Sequence, residues 1–264
     1  MKILILGAGK MGSFFCDLLS FDHRVAIYDR SPERLRFTYN VERLMDLDEV
    51  DAFDPDMVLN AATVKYTIDA FRQVLPHLRP DTILSDIASV KTGLPEFYAS
   101  AGHPFVSTHP MFGPTFASLS NLADENAIII SEGSRDGIEF FDRLYSRLGL
   151  HIEHYTFSEH DLTIAYSLSI PFASTLVFGS CMKPQSAPGT TFKRHLAIAR
   201  GLMSEDSYLL SEILFNPHTV EKLDEICDTL GKLREIVAQH DTEAMDEFLN
   251  TVRQRIKRIK GTCD

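Results

Sequence analysis

The opening residues KILILGAGKMGSFF hold the feature that most restricts how this chain folds. Gly7, Gly9 and Gly12 form a G-x-G-x-x-G pattern between an apolar, strand-like run and an amphipathic, helix-like one. The first glycine permits a tight turn, the second lets the backbone approach a pyrophosphate, and the third lets strand and helix pack closely. The N-terminus of the following helix offers free N–H groups and a partial positive charge to an anion. The pattern alone is common, so its context decides. The next strand-like run, RVAIYD, ends in Asp29, about where a dinucleotide fold delivers an acid to the adenosine ribose hydroxyls. That carboxylate repels a 2′-phosphate and favours NAD, while Arg30 and Ser31 directly after it soften the preference. Lys10 and Met11 in the loop, and Ala62 in NAATVK, complete the expected cofactor contacts.

Up to about residue 156, short β-rich runs alternate with amphipathic helical stretches. KILILG, RVAIYD, DMVLNAA, TILSDIA, PFVSTH, AIIIS and HIEHYT read as strands; MGSFFCDLLSF, YTIDAFRQVLPHL and RDGIEFFDRLYSRLG read as helices. This alternation predicts a parallel sheet with helices on both faces. After Thr156 the strand signal stops. In VEKLDEICDTLGKLREIV, Leu223, Ile226, Leu230, Leu233 and Val237 recur every three or four residues, a helical period. The expectation is an α/β, Rossmann-type doubly wound domain over 1–156. An all-α domain for substrate contacts and dimerisation is expected over 157–264.

The totals narrow the function class. A net charge of −11 over 264 residues argues against non-specific nucleic-acid or anionic-membrane binding, yet leaves room for a local basic pocket. Cys16, Cys181, Cys227 and Cys263 match no metal or redox spacing. MKILILGAG turns into a glycine loop too early for a secretion signal, so reduced thiols in a cytoplasmic protein are expected. No charge occurs between Asp161 and Lys183, a length that spans a bilayer, but the segment is rich in Ser and Thr and carries Pro171 at its centre. It is read as a buried helix packed against its mate in a homodimer, not as a membrane span. His151 and His154 are too close and too β-like to share a metal face, and His160, between Glu159 and Asp161, is expected to help start the long helix; no metal is expected.

Ligands of such folds sit beyond the carboxyl ends of the strands. Three segments end there: NAATVK, SDIASVKTG and THPMFGP, bringing Ser89, Lys91 and His109 to one cleft. A histidine takes a proton from an alcohol near neutral pH as its carbon gives up hydride. A serine orients that alcohol, and a lysine holds a carboxylate or stabilises developing negative charge. The same residues also fit plainer roles. Ser89 fits the cap of a helix beginning near Val90. Lys91 fits a solvated first-turn residue, and His109 a turn histidine satisfying a backbone carbonyl.

DIASVKTG followed by STHPMFGP, behind GAGKMG, resembles the prephenate dehydrogenase family, and SEHDLTIAY and RHLAIARGLMSEDSYLLSEI extend the resemblance into the helical half. The His-Pro-Met-Phe-Gly-Pro string is the specific part. The resemblance implies NAD-dependent oxidative decarboxylation of prephenate to 4-hydroxyphenylpyruvate in tyrosine biosynthesis, by a homodimer. It implies that His109 removes the proton from the ring hydroxyl, that Ser89 assists there, and that Lys91 is the matching lysine. An arginine of the helical half binds a substrate carboxylate; Arg200 is the choice, with Lys193 and Arg194 as alternatives. Relatives often carry a His-Leu-Pro-His string in the buried helix. Here the stretch is SIPF, with Ser169 and Phe172 at the histidine positions, which puts recognition of the substrate side chain in question and keeps arogenate dehydrogenase open. The chain opens at the first strand and closes with helices, so neither a chorismate mutase segment nor a separate tyrosine-sensing domain is expected. A non-catalytic NAD-binding regulator is the alternative from another class.

Overall fold

The computed structural model describes residues 1–112, 122–123 and 125–259. Gly113, Pro114 and Thr115 of the STHPMFGPT stretch, and Lys260 and Cys263 of the tail, lie outside the described residues. The chain divides into two units, Met1–Asp161 and Leu162–Asp264.

The first unit is built on eight strands: β1 (Lys2–Leu6), β2 (Arg24–Tyr28), β3 (Glu42–Leu44), β4 (Met57–Asn60), β5 (Ile83–Asp86), β6 (Phe105–Pro110), β7 (Asn126–Ile130) and β8 (His151–Tyr155). They are ordered β3-β2-β1-β4-β5-β6-β7-β8. The first six run parallel, β7 is antiparallel to β6, and β8 is parallel to β7. Chain order reverses between β1 and β4, the kind of switch point at which open α/β sheets bind ligands.

β1 shows why the apolar runs are continuous rather than alternating. Ile3 and Ile5 enter one core with Phe15 and Leu19 of α1 (Lys10–Leu19). Leu4 and Leu6 enter the core on the other face, with Val50 of α2 (Glu49–Phe53), Phe71 of α3 (Thr67–Val74) and Phe97 of α4 (Leu94–Ala101). A strand covered on both faces must be apolar at every position. Phe141, Leu144 and Tyr145 of α5 (Arg135–Leu148) fill the first core. α5 is also the crossover that lets β8 pair parallel to β7, a connection too long for a hairpin.

The doubly wound layout read from the alternation is therefore present, with β7 and β8 running against the first six strands. β3, α2 and α4 carry no signal in the sequence, because three to eight residues are too few for a period to stand out.

α6 (Phe157–Ile164) opens with a capping box. Thr156 N–H donates to Glu159 Oε2 at 2.8 Å, and Glu159 N–H donates back to Thr156 Oγ1 at 3.1 Å. Its first turn belongs to the α/β unit, since Phe157 packs on that core and His160 bonds to His109. The division accordingly falls at Asp161/Leu162 instead of the expected 156/157.

The second unit continues through a π-helical turn at Ala165–Ser169. It then runs through α7 (Ile170–Cys181), α8 (Thr190–Leu202), α9 (Ser207–Leu214), α10 (Thr219–Gln239) and α11 (Thr242–Ile259). Asp206 caps α9 by accepting from the N–H groups of Tyr208 and Leu209. The uncharged segment was expected to be buried, and within this chain it is not. Of α7 only Ala173 is buried. Phe157–Cys181 is long and apolar enough to cross a bilayer, and 22% of its most apolar window is covered. Leu223, Leu230 and Val237 of the α10 stripe are exposed as well.

Candidate active site

The glycine loop sits at the switch point. A Cβ on Gly12 would stand 1.8 Å from the carbonyl oxygen of Gly7, so only glycine lets α1 come this close to β1. Gly7 has φ +100°, and a Cβ there would meet the Ala61 carbonyl oxygen at 3.0 Å. Gly9, the N-cap of the ten-residue α1, has nothing within 4 Å of its added Cβ and faces open space.

A cavity beside it is lined by Gly7, Gly9, Asp29, Arg30, Ala62 and Tyr66, among others. Asp29 is buried at the end of β2; Oδ2 accepts from Ala8 N–H at 2.7 Å and Oδ1 from Ser31 N–H at 2.8 Å. The acid thus fixes the glycine loop while its remaining lone pairs stay available to a ribose. Asn60, which the sequence reading did not single out, pins the opposite wall. Its Nδ2 donates to Thr67 O at 2.8 Å and its Oδ1 accepts from Ala62 N–H at 3.1 Å. An Asn closing an otherwise apolar strand is the signal that marks it. The Arg30 guanidinium lies 3.8 Å over the Tyr66 ring, presenting a planar cation at the cavity wall. Lys10 is the exposed first residue of α1, and Met11 packs on the core. An open glycine at a helix N-terminus, with a carboxylate at the end of β2, is a donor set that fits a dinucleotide.

At the carboxyl end of β6 the sequence places His109 before Pro110, and a residue preceding proline is held to extended backbone. The Met111 N–H then donates to Asn126 O at 2.8 Å, locking this end of β6 onto β7. His109 is 6% exposed, and its Nδ1 lies 3.1 Å from His160 Nε2. His160, wholly buried on α6, has Nδ1 3.1 Å from Asp161 Oδ1. The protons can be assigned from this chain of contacts. A carboxylate oxygen accepts, so His160 Nδ1 carries a hydrogen and its neutral ring leaves Nε2 as an acceptor. His109 Nδ1–H must then be the donor, and the lone pair of His109 rests on Nε2.

Burial holds His109 well below the usual histidine range, with His160 and Lys91 adding to the effect. Burial also lowers His160, while Asp161 pulls it back up. Both rings are therefore neutral near pH 7. His160, expected only to help start the helix, is half of a buried histidine pair; the 51-residue separation hid this from the sequence.

Lys91 departs from both readings made of it. It is neither solvated nor aimed at an open cleft. Its side chain is fully buried, with Nζ donating to Asp86 Oδ2 at 2.6 Å and to Thr108 O at 2.8 Å. Asp86 also accepts from Tyr98 OH at 2.7 Å and Ala88 N–H at 3.0 Å. Burial lowers the lysine and Asp86 pulls it back up. Ser89 lies half-buried in the loop after β5, and β5 is paired with β6. It is not a helix cap, because α4 starts at Leu94 with Gly93 at its N-cap.

Lys193, Arg194 and Arg200 are exposed on α8 of the second unit. Lys193 and Arg200, seven residues apart, share one helix face, and Arg194 is rotated about 100° from it. Ser169 is buried: its Oγ donates to Ile213 O at 3.0 Å and accepts from Thr219 Oγ1 at 2.9 Å. It ties the π-helical turn to its neighbours. His154 pairs with Asp142 at 2.9 Å, and among the described residues no group of three metal-ligating side chains converges.

Comparison with known proteins adds the lineage. The family model described as "Prephenate dehydrogenase, nucleotide-binding domain" matches residues 19–151, half of the chain. A Methanocaldococcus jannaschii protein described as "Probable arogenate/prephenate dehydrogenase" is 23% identical over 77% of this chain and 48% of its own length. The "T-protein" of Haemophilus influenzae is 23% identical over 96% of this chain and 63% of its own. The chain thus spans about half to two-thirds of the length of these curated relatives. Among solved structures, Aquifex aeolicus prephenate dehydrogenase in complex with hydroxyphenyl propionate and NAD+ has a similar fold. Its TM-score is 0.83 at 22% identity, with 98% of each chain covered. A nucleotide-type glycine loop at the sheet's switch point, a His-Pro strand end and the matched domain lead to one assignment: the chain belongs to the prephenate dehydrogenase family.

Proposed function

We propose that the chain is an NAD-dependent prephenate dehydrogenase of tyrosine biosynthesis, converting prephenate to 4-hydroxyphenylpyruvate. The observation that carries the proposal is His109: a buried, neutral imidazole at the carboxyl end of β6, with the lone pair assigned to Nε2. NAD+ supplies, when bound, a hydride acceptor. Gly9 at the N-terminus of α1, Asp29 and Ala62, which line one cavity, would hold the dinucleotide. His109 Nε2 takes the ring-hydroxyl proton, and Ser89 orients that hydroxyl. As hydride leaves the hydroxyl-bearing carbon, the hydroxyl becomes a carbonyl; carbon dioxide then departs, the electron pair of the broken C–C bond makes the ring aromatic, and the phenolate oxygen so formed takes a proton back. Much of the driving force is therefore the substrate's own, and the protein's task is to position, accept one proton and balance two carboxylates. Arg200 is our candidate for a substrate carboxylate, with Lys193 and Arg194 as alternatives on α8.

The test is turnover of prephenate and of arogenate with NAD+ and with NADP+, followed by the absorbance of the reduced nicotinamide. Prephenate with NAD+ should be the best pair. His109→Ala should lose about 10²- to 10⁴-fold in kcat while still binding NAD+. Absence of turnover with any pair overturns the proposal and leaves a nucleotide-binding regulator, which would be indifferent to His109→Ala. A second reading, arogenate dehydrogenase, is favoured by one observation. Where relatives carry histidines, Ser169 spends its hydroxyl on Ile213 and Phe172 has none.

We further infer a cytoplasmic homodimer. The free thiols Cys16, Cys181 and Cys227 suit a reducing compartment. The uncovered faces of α7 and α10 suit a second copy of the chain, and the Ser- and Pro-bearing course of α7 suits that better than lipid.

A further inference from the structure

We propose that His160 and Asp161 act as positioning residues for His109, forming a relay that moves the positive charge created in the reaction off His109. The proposal rests on His109 being the base and extends that reading to two residues with no role in it so far.

The substrate O–H bond breaks and an N–H bond forms at His109 Nε2. The N–H bond at His109 Nδ1 breaks, and its proton crosses the 3.1 Å contact to His160 Nε2. His109 is again neutral, now protonated at Nε2, and His160 is the imidazolium, with Nδ1–H held 3.1 Å from Asp161 Oδ1. No electrons beyond those of the hydride step are involved.

The direction of transfer follows from what faces each ring. His109 is buried against His160, and a positive charge on it is disfavoured first by that burial and further by the Lys91 ammonium, with no carboxylate among the causes to offset them. His160 also feels Lys91, but Asp161 contacts it directly and Asp86 contributes from β5. His160 is thus the better seat for the charge. The Asp161 side chain is 27% exposed, whereas that of His160 is fully buried, so the relay runs from the interior toward solvent.

Two measurements test it. Nitrogen-15 NMR of histidine-labelled protein reads the tautomers without any turnover. Hydrogen on Nδ1 of both His109 and His160 is expected, and an Nε2–H tautomer of His109 in the resting protein overturns the relay. Absence of turnover with a correct tautomer pair would instead count against the reaction assigned to the family site.

The second measurement is the pH profile of kcat for Asp161→Asn and His160→Gln, with melting temperature and NADH binding as controls. Asp161→Asn should lower kcat at least about 10-fold with KM nearly unchanged, and move the acid limb to lower pH because the charge that favours protonation is gone. His160→Gln should lower kcat similarly, and added imidazole should restore part of the activity of His160→Ala. Wild-type acid limbs in both point variants would reduce the pair to packing and overturn the proposal.

Discussion

Replacing Lys91 by Met tests the finding least expected of this chain, that its SVK lysine is an interior ion-pair partner. The Lys91 and Asp86 side chains have no exposed surface and stand 2.6 Å apart. Methionine matches the length of the stem but leaves Asp86 with only the Tyr98 hydroxyl and the Ala88 N–H as donors. Removing one member of a buried pair strands the other charge and costs about 3–5 kcal/mol. With roughly 2–4 °C lost per kcal/mol for a unit of this size, the melting temperature should fall by roughly 6–20 °C. Calorimetry on Lys91→Met, Asp86→Asn and the double variant gives the cycle. The double variant should be less damaged than Lys91→Met, because no bare carboxylate remains. The same change removes a positive charge acting on His109, so in the purified variant the acid limb of kcat should move to higher pH. Lys91→Met within about 0.5 kcal/mol of the parent, the behaviour of a surface residue, would refute the reasoning.

The second and third glycines of the pattern should separate folding from binding: Gly12→Ala, with its Cβ 1.8 Å from a carbonyl, should lose stability and soluble yield. Gly9→Ala should keep the parent melting temperature but lose NADH binding, as read by titration of NADH fluorescence. His109 and His160 both sit below the ordinary histidine value of about 6.5 when folded, so unfolding lets them take up protons. Their contribution to stability is complete above about pH 6.5 and is lost as pH falls below it; His109→Gln should flatten the pH dependence of urea denaturation over that range. Sedimentation at micromolar concentration should give a dimer, and a stable monomer of 29.7 kDa would remove the interface assigned to α7 and α10.

What could be read without coordinates were the features with a local physical cause. Ile3 to Leu6 are apolar at every position because β1 is covered on both faces, and that shows in a string of letters. Gly7 and Gly12 are dictated by a turn and a close contact only a few residues away. Asp29 directly follows β2 and His109 ends the PFVSTH run, so their place at a carboxyl end could be inferred. Pro110 fixes the backbone of His109 by covalent geometry alone. The tertiary structure decided everything that depends on partners distant along the chain. Lys91 is the same residue whether it faces a substrate or Asp86, and only the packing of Tyr98 and Thr108 around it selects the second. His160 looked like a helix-start residue because the ring it meets lies 51 positions away. The uncharged run after Asp161 could be assigned to a helix but not to an interior, since covering it requires neighbours that the period of a single helix does not specify. Periodicity and turn chemistry are written over a few residues; burial, tautomer and charge state belong to the assembled surroundings, and those exist only once the sheet has closed around them.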